Sequence, residues 1–508
     1  MYDLVKFEGF IGINTDIIPS KLPPPDESLY LRDVNNVIIE DGLAKKIKGY
    51  DYFNNITTQL GQDGYRELLG TPIYKKYDDT KYFLAVCPRN IYKLDGDTAW
   101  TQIGTVTAGD NDSVFSFVNS DNKFIFTISA DGTIISWDGT TYQNLVNPST
   151  LKARYILEFK GSLFLLRVIE SGTERYQKLR WSTPYVVDTF PDGNSLTLDS
   201  EEKILGGRQM GNEILVYFEK EIYRVYWVDD TIGYGSEPLI QGSGIIAPRT
   251  LCGNQDVHFW LAQQGLMKLI RGDYPRSISN GKFDKLILDE IDPEYKHKAV
   301  AKFYPHKNML YLSFPSSGNQ YNTTQIIYDN ASGEMISKKN LTHDSFSSYG
   351  EWEKDLSGLA DDERQAYGLA VIPIFGTKDG YVHEQKITSY QDKSQIAESN
   401  IRFVPTKLKF PSHHKRVLQC DVIAEKKTDD DITFILEIAN EMNDTCDLQI
   451  NLTGNGDEGI RRYTFTGDAN NELDITGKEF NIRLKDYNNQ FGWDLHEVIL
   501  RGYASTVN

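Results

Sequence analysis

Residues able to do acid–base, nucleophilic or metal chemistry occur throughout the chain, but few fall at spacings that would let them act together. His413-His414 has the composition of a metal pair. Adjacent residues of a strand point to opposite faces, so both read as solvated or interface histidines. His383-Glu384 follows a hairpin-like turn and has no partner two or four residues away, which makes it structural. Asp429-Asp430-Asp431 offers the oxygen ligands calcium takes. It lacks spaced ligands around a Gly-enabled turn and reads as a solvated turn before a strand. P-loop, H-E-x-x-H, G-x-S-x-G and Gly-rich dinucleotide patterns are all missing. Paired carboxylates for glycoside hydrolysis stay open, because they need only approach within roughly 5–10 Å in space. Trp100, Trp137, Trp181, Trp227 and Trp260 fall near strands, where such rings fill the core more often than they stack on sugars. The expectation is a non-enzymatic protein with no catalytic, cofactor-binding or metal-binding residue.

Composition narrows the class. The four cysteines, Cys87, Cys252, Cys420 and Cys446, lie far apart with no C-x-x-C pair, against a local zinc knuckle or a dense disulfide scaffold. They fit reduced thiols in a protein made inside a cell. With 54 basic and 72 acidic residues the net charge is −18, and an acidic surface repels phosphate backbones. Asp3, Lys6 and Glu8 interrupt the apolar run a signal peptide would need, and no stretch of eighteen apolar residues predicts a membrane span.

The elements that would carry any site are mostly strands. KYFLAVCP (81–88), NKFIFTISA (122–130), NEILVYFEK (212–220), VHFWLAQQG (257–265) and KNMLYLSFP (307–315) are rich in aromatic and β-branched residues and close on turn signals. One helical patch, NGKFDKLILDEI (280–291), spaces Phe283, Leu286, Ile287 and Ile291 helically and stops at Asp292-Pro293. The strands repeat. Taking Phe83, Phe124, Phe164, Leu215, Trp260 and Tyr311 as equivalent points gives intervals of 41, 40, 51, 45 and 51 residues. That period suits four-stranded propeller blades of roughly 40–50 residues, with unrelated hairpins in stacked sandwiches as the rival. SADGTIISW (129–137) approaches the Asp-box hairpin, but Gly132 directly follows Asp131 and Trp137 lies four residues beyond Thr133, leaving an ordinary hairpin.

The fold class expected is all-β: a β-propeller of six or seven blades over 59–398, flanked by two other segments. Residues 1–58 hold Pro19 and Pro23-Pro24-Pro25 and read as an extended N-terminal arm, since consecutive prolines fit neither helix nor sheet interior. Residues 399–508 open on the basic IRFVPTKLKFPSHHKR. They then alternate in ITFILEIA, LQINLTG, RRYTFTG, FNIRLKDY and LHEVILRGY, predicting a C-terminal β-sandwich-like domain.

Residues 8–50 carry a family resemblance. Gly12, Ile13, Asn14 and Thr15, a Pro-rich passage, Asn36-Val37, Asp41-Gly42-Leu43, Lys45-Lys46 and Gly49-Tyr50 resemble the opening of tail proteins from short-tailed double-stranded DNA phages. Residues 259–318 resemble blade modules of the same proteins, and YDNASGEMISKKN (328–340) their closing turn. The basic pair is followed by Ile47-Lys48 where the family has Arg-Pro before the Gly. The family implied is the tail nozzle, tail hub or packaged-DNA stabilisation protein. The resemblance implies a virion protein of the tail, made in the host cytoplasm and forming a six-fold ring below portal and adaptor. Such a ring extends the DNA channel, retains the genome without binding it specifically, and attaches fibres or a plug. Two rival classes stand beside it: a glycan-binding or polysaccharide-degrading tail propeller, and a cellular propeller scaffold for peptides.

Overall fold

Alternating apolar and polar residues build seven successive sheets whose two faces are both covered. The computed structural model describes residues 2–16, 30–96, 98–229, 233–354, 371–386, 389–393, 395, 397–405, 414–427, 430–453, 459–466, 473–477, 479–486 and 492–505. The first sheet runs Ile73–Lys75, Lys81–Val86, Asn90–Asp95 and Ala99–Thr105. Four more follow in chain order, their innermost strands being Phe115–Ser120, Leu151–Phe159, Gly206–Met210 and Cys252–Gly253. The sixth begins at Val300–Tyr304. The seventh takes Phe346–Glu353, Val371–Thr377 and Val382–Gln385 from one end of the chain and Tyr50–Tyr52 from the other.

Apolar side chains weld each sheet to the next. Tyr74 and Leu84 of the first meet Phe124 and Trp137 of the second. Ile125 meets Leu163 and Leu165 of the third; Phe164 and Trp181 meet Ile214 and Val216 of the fourth; Leu215 and Tyr217 meet Trp260 of the fifth. Phe259, Phe303 and Phe375 extend the contact through the sixth and seventh. Ile372 and Ile374 of the seventh then pack with Phe83 of the first. The seven sheets therefore close into a ring, the arrangement of a β-propeller. Phe83, Phe124, Phe164, Leu215, Trp260 and Tyr311 each lie on the second strand of their sheets. The helical patch forms Asp284–Glu290, the single α-helix among the described residues, with Leu286 and Ile287 buried.

The N-terminal segment is not an arm apart from the rest, and this corrects the sequence reading. Tyr2–Glu8 pairs with the C-terminal strand Trp493–Ser505. Val37–Glu40 and Leu43–Lys46 form a hairpin through Asp41 and Gly42, both at positive φ. That hairpin lies between Glu334–Asn340 of the sixth sheet and Trp493–Ser505, so one sheet runs continuously into the C-terminal region. The reason is burial: Leu4, Val5, Val37 and Ala44 have no exposed surface and pack in the core shared with the C-terminal layers. Pro19 and Pro23-Pro24-Pro25 lie outside the described residues.

The C-terminal region is a two-layer β structure, but not one confined to 399–508. Its second layer is a six-stranded sheet ordered Gly12–Ile13, Tyr30–Asn35, Ser399–Phe403, Phe480–Asp486, Ile432–Asn440 and Thr445–Leu452. Ile432, Phe434, Leu436 and Ile438 alternate inward and share one core with Val422, Ala424, Val498 and Leu500 of the facing layer.

Candidate functional site

The loops leading into the inner strands meet across the middle of the ring. Arg249 sits in a 3-10 turn, Pro248–Thr250, just before the fifth sheet. Its Nη1 donates to Glu67 Oε1 at 2.7 Å, ahead of the first sheet. Its Nε and Nη2 donate to the Ser113 carbonyl at 3.1 and 2.9 Å, ahead of the second, and Nη2 also reaches the Asn111 carbonyl. Lys298, ahead of the sixth sheet, lies 3.6 Å from Glu67 Oε2 and 3.2 Å from Asp112 Oδ1. His297 Nε2 stands 3.3 Å from the same Asp112 oxygen. Loops of sheets one, two, five and six, which stand on opposite sides of the ring, therefore meet in this cluster.

The cluster is a lock that ties the loops of four sheets together. Two carboxylates face two basic side chains, and the Glu67, Arg249 and Lys298 side chains are all but buried. Burial opposes ionisation of Asp112, but Lys298 and His297 outweigh it and hold the carboxyl below its ordinary range. Beyond the lock, a cavity of about 230 Å3 lies against the inner strands of sheets two, three and four, beside Ser116, Tyr155 and Arg208.

A second concave feature opens between sheets four and five. This cleft, of about 550 Å3, has a floor of Met210, Leu215 and Leu269 and a rim holding Glu213, Arg224 and Tyr274. Glu213, Arg224 and Glu237 lie on three neighbouring strands, Arg224 directly opposite Glu237 and Glu213 two positions along from Leu215, the other register partner of Arg224, with both carboxylates on the one guanidinium.

A third polar cluster joins the propeller to the C-terminal layers. Lys46 Nζ lies 3.0 Å from Asp486 Oδ2, which also accepts the Trp493 indole N–H at 2.9 Å. Lys339 pairs with Asp392 at 2.6 Å, and Lys393 with Asp344 at 3.0 Å. His383 is fully buried here, stacked on Tyr50 with ring centroids 5.3 Å apart, and Asp344 lies 3.5 Å from its Nδ1. Desolvation, aided by the Lys393 charge, pushes the imidazole pKa down to about 3.

The residues singled out from the sequence are scattered. His383 and Glu384 are buried at this junction, as a structural pair would be. His414 begins the strand His414–Lys426, while His413 and Asp429 lie outside the described residues; Asp431 stands 3.9 Å from Lys426. Trp137, Trp181 and Trp260 are buried, Trp100 packs on Phe83 at 5.6 Å, and Trp227 departs from core packing at 40% exposure. Cys87, Cys252 and Cys420 are buried thiols and Cys446 a half-buried one, and no group of three or more His, Cys, Asp or Glu side chains could hold a metal ion among the described residues. Sequence reasoning missed Glu67, Asp112, Arg249 and Lys298. Their shared signal, a charge just before each inner strand, appears only once the sheets are registered.

Comparison with known proteins adds little beyond the fold. No known family profile matches the chain, and no curated protein matches it in sequence. Among solved structures, it is similar to virginiamycin B lyase from Staphylococcus aureus, with 12% identity over 67% of this chain and 98% of that one and a TM-score of 0.40. It is also similar to the WD40 domain of Neurospora crassa Pan2, with 8% identity over 68% and 97% and a TM-score of 0.38. No helix among the described residues is long and apolar enough to cross a membrane.

Proposed function

We propose that this chain is a non-enzymatic structural subunit of a phage tail nozzle or hub. In this reading it forms a six-fold ring below portal and adaptor, retains and then passes the genome, and anchors fibres or a plug. The observation that carries the reading is where the family-like residues fall. Asn36 donates to the Glu398 carbonyl at 2.5 Å, Lys46 pairs with Asp486, and Gly49 admits no side chain because a Cβ would lie 1.9 Å from the Gln391 carbonyl oxygen. Tyr50 packs edge-on against Phe346 at 4.9 Å. The stretch that resembles nozzle openings is thus the stretch that stitches propeller to C-terminal layers, a place where residue identity is constrained by packing.

Two further features support the reading. The axial lock ties loops from opposite sides of one propeller together, so in this reading the conduit for DNA lies between copies arranged in a ring. A net charge of −18 keeps such walls from gripping phosphates. Native mass spectrometry and negative-stain imaging, with the chain alone and with an adaptor–portal complex, test it. A six-membered ring with a central opening is the expected result. A monomer that ignores the complex would overturn the reading.

A further inference from the structure

The cleft between the fourth and fifth sheets carries an inference that does not depend on ring assembly. Its volume, about 550 Å3, lies in the range of small-ligand sites. The floor is apolar and fixed: Met210, Leu215 and Leu269 are buried in the core that joins the two sheets. On the rim Tyr274 is 81% exposed, a ring face open to solvent beside that floor. The ring sits on a stiff turn, with Gly272 at φ 82°, Tyr274 N–H donating to Asp273 Oδ1 at 2.8 Å, and Pro275 next in the chain.

Charge on the rim decides the ligand class. Arg224 is held by Glu213 at 3.5 Å and by Glu237, Arg271 by Asp256 at 3.7 Å, and Arg276 by Asp273 at 3.4 Å. Every cation there has its carboxylate, so the cleft exerts little net pull on a phosphate, a nucleotide or a free acid. What it offers is an aromatic face, an apolar floor and planar groups that donate and accept in pairs. A pyranose matches all three, with a C–H face for the ring and adjacent hydroxyls for the guanidinium and carboxylates.

We propose that this cleft binds one or two units of a neutral saccharide, stacked on Tyr274 and hydrogen-bonded by Glu213 and Arg224. The test is saturation-transfer NMR on the full chain with maltotriose, cellotriose and triacetylchitotriose, each at about 5 mM, with sodium phosphate as the charged probe. At least one trisaccharide should receive saturation, concentrated on the protons of one ring face, while phosphate gives no competition. Tyr274→Ala should weaken that binding about tenfold or more, about 1.4 kcal/mol, without moving Tm, because the ring is exposed. Glu213→Gln should weaken it as well. Silence from all three sugars, displacement by phosphate, or undiminished transfer in Tyr274→Ala would each overturn the proposal. Imaging Tyr274→Ala with the adaptor–portal complex separates this result from the fate of the ring reading.

Discussion

Lys46 and Asp486 are 440 residues apart in the chain and 3.0 Å apart in the fold, with neither side chain reaching solvent. Lys46 belongs to a hairpin inserted between the sixth propeller sheet and the last strand, Asp486 to the opposite layer of the C-terminal region. The pair therefore spans the two layers where they join the propeller. Burying two charges is costly, and the cost is met only while each has its partner.

Breaking that pair should be severe. Asp486→Asn keeps an acceptor for the Trp493 N–H but removes the carboxylate that acts most strongly on Lys46, a loss of about 3–5 kcal/mol. Lys46→Met in the Asp486→Asn background removes the stranded charge and should restore most of the stability. Denaturant midpoints of the three variants measure this. Equal loss in single and double variants would mean that the charge pairing is not what matters there.

Truncating the N-terminus should unfold more than a peripheral segment. Removing residues 1–52 would strip the outer strand from the seventh sheet, leaving Val382–Gln385 as a bare edge beside buried His383. It would also remove the hairpin that joins the sixth sheet to Trp493–Ser505. The expected outcome is aggregation or loss of cooperative melting, read by size-exclusion chromatography and circular dichroism. A monodisperse, cooperatively melting fragment would contradict the pairing.

What was legible in the sequence was local. Phe83, Phe124, Phe164, Leu215, Trp260 and Tyr311 mark second strands because each hairpin carries its own alternation and turn, within some twenty residues. Tyr50–Tyr52 offered too few residues for a period, and its partner Val382–Gln385 is more than 300 positions away. The 1–58 segment read as an arm on the strength of its prolines, while its strands find their distant partners at 334–340, at 382–385 and beyond 398. The axial lock was invisible for the same reason: Glu67 and Arg249 are 182 residues apart and neither sits in a motif.

The lock itself should hold the ring of sheets together. Glu67→Gln leaves Arg249 and Lys298 facing only Asp112 and backbone carbonyls. A loss of about 3–5 kcal/mol is expected, with increased hydrogen exchange in the loops at 106–114 and 242–251. Unchanged exchange in both loops would remove the lock from the account of the fold.

Thiol chemistry gives a direct check on burial. Cys87, Cys252 and Cys420 are buried, and desolvation pushes Cys252 up to about 12 and raises the other two as well. Cys446 is only half-buried. In the native protein at most one of the four thiols should react with a disulfide reagent at pH 8, and all four should react in denaturant. Two or more native reactive thiols would show that a core region opens readily.

Acid should destabilise the protein before carboxylates begin to titrate. Burial holds both His383 and His258 near a pKa of about 3, against an ordinary 6.5. At His258 the Arg208 charge adds to burial and outweighs the Nε2 donation to the Gln209 carbonyl at 2.9 Å, while Nδ1 accepts from the Tyr217 hydroxyl at 2.8 Å. A histidine whose folded pKa is lowered takes up its proton on unfolding at any pH between the two values. The unfolded state then binds more protons, and stability falls as pH drops below 6.5. At pH 5 each histidine should cost about 2 kcal/mol relative to pH 7.5. Tm should therefore fall over that interval, and His383→Phe, which fills the slot against Tyr50 with a ring that cannot protonate, should flatten the decline by roughly half. A His383→Phe profile parallel to wild type would show that this imidazole is not among the groups driving it.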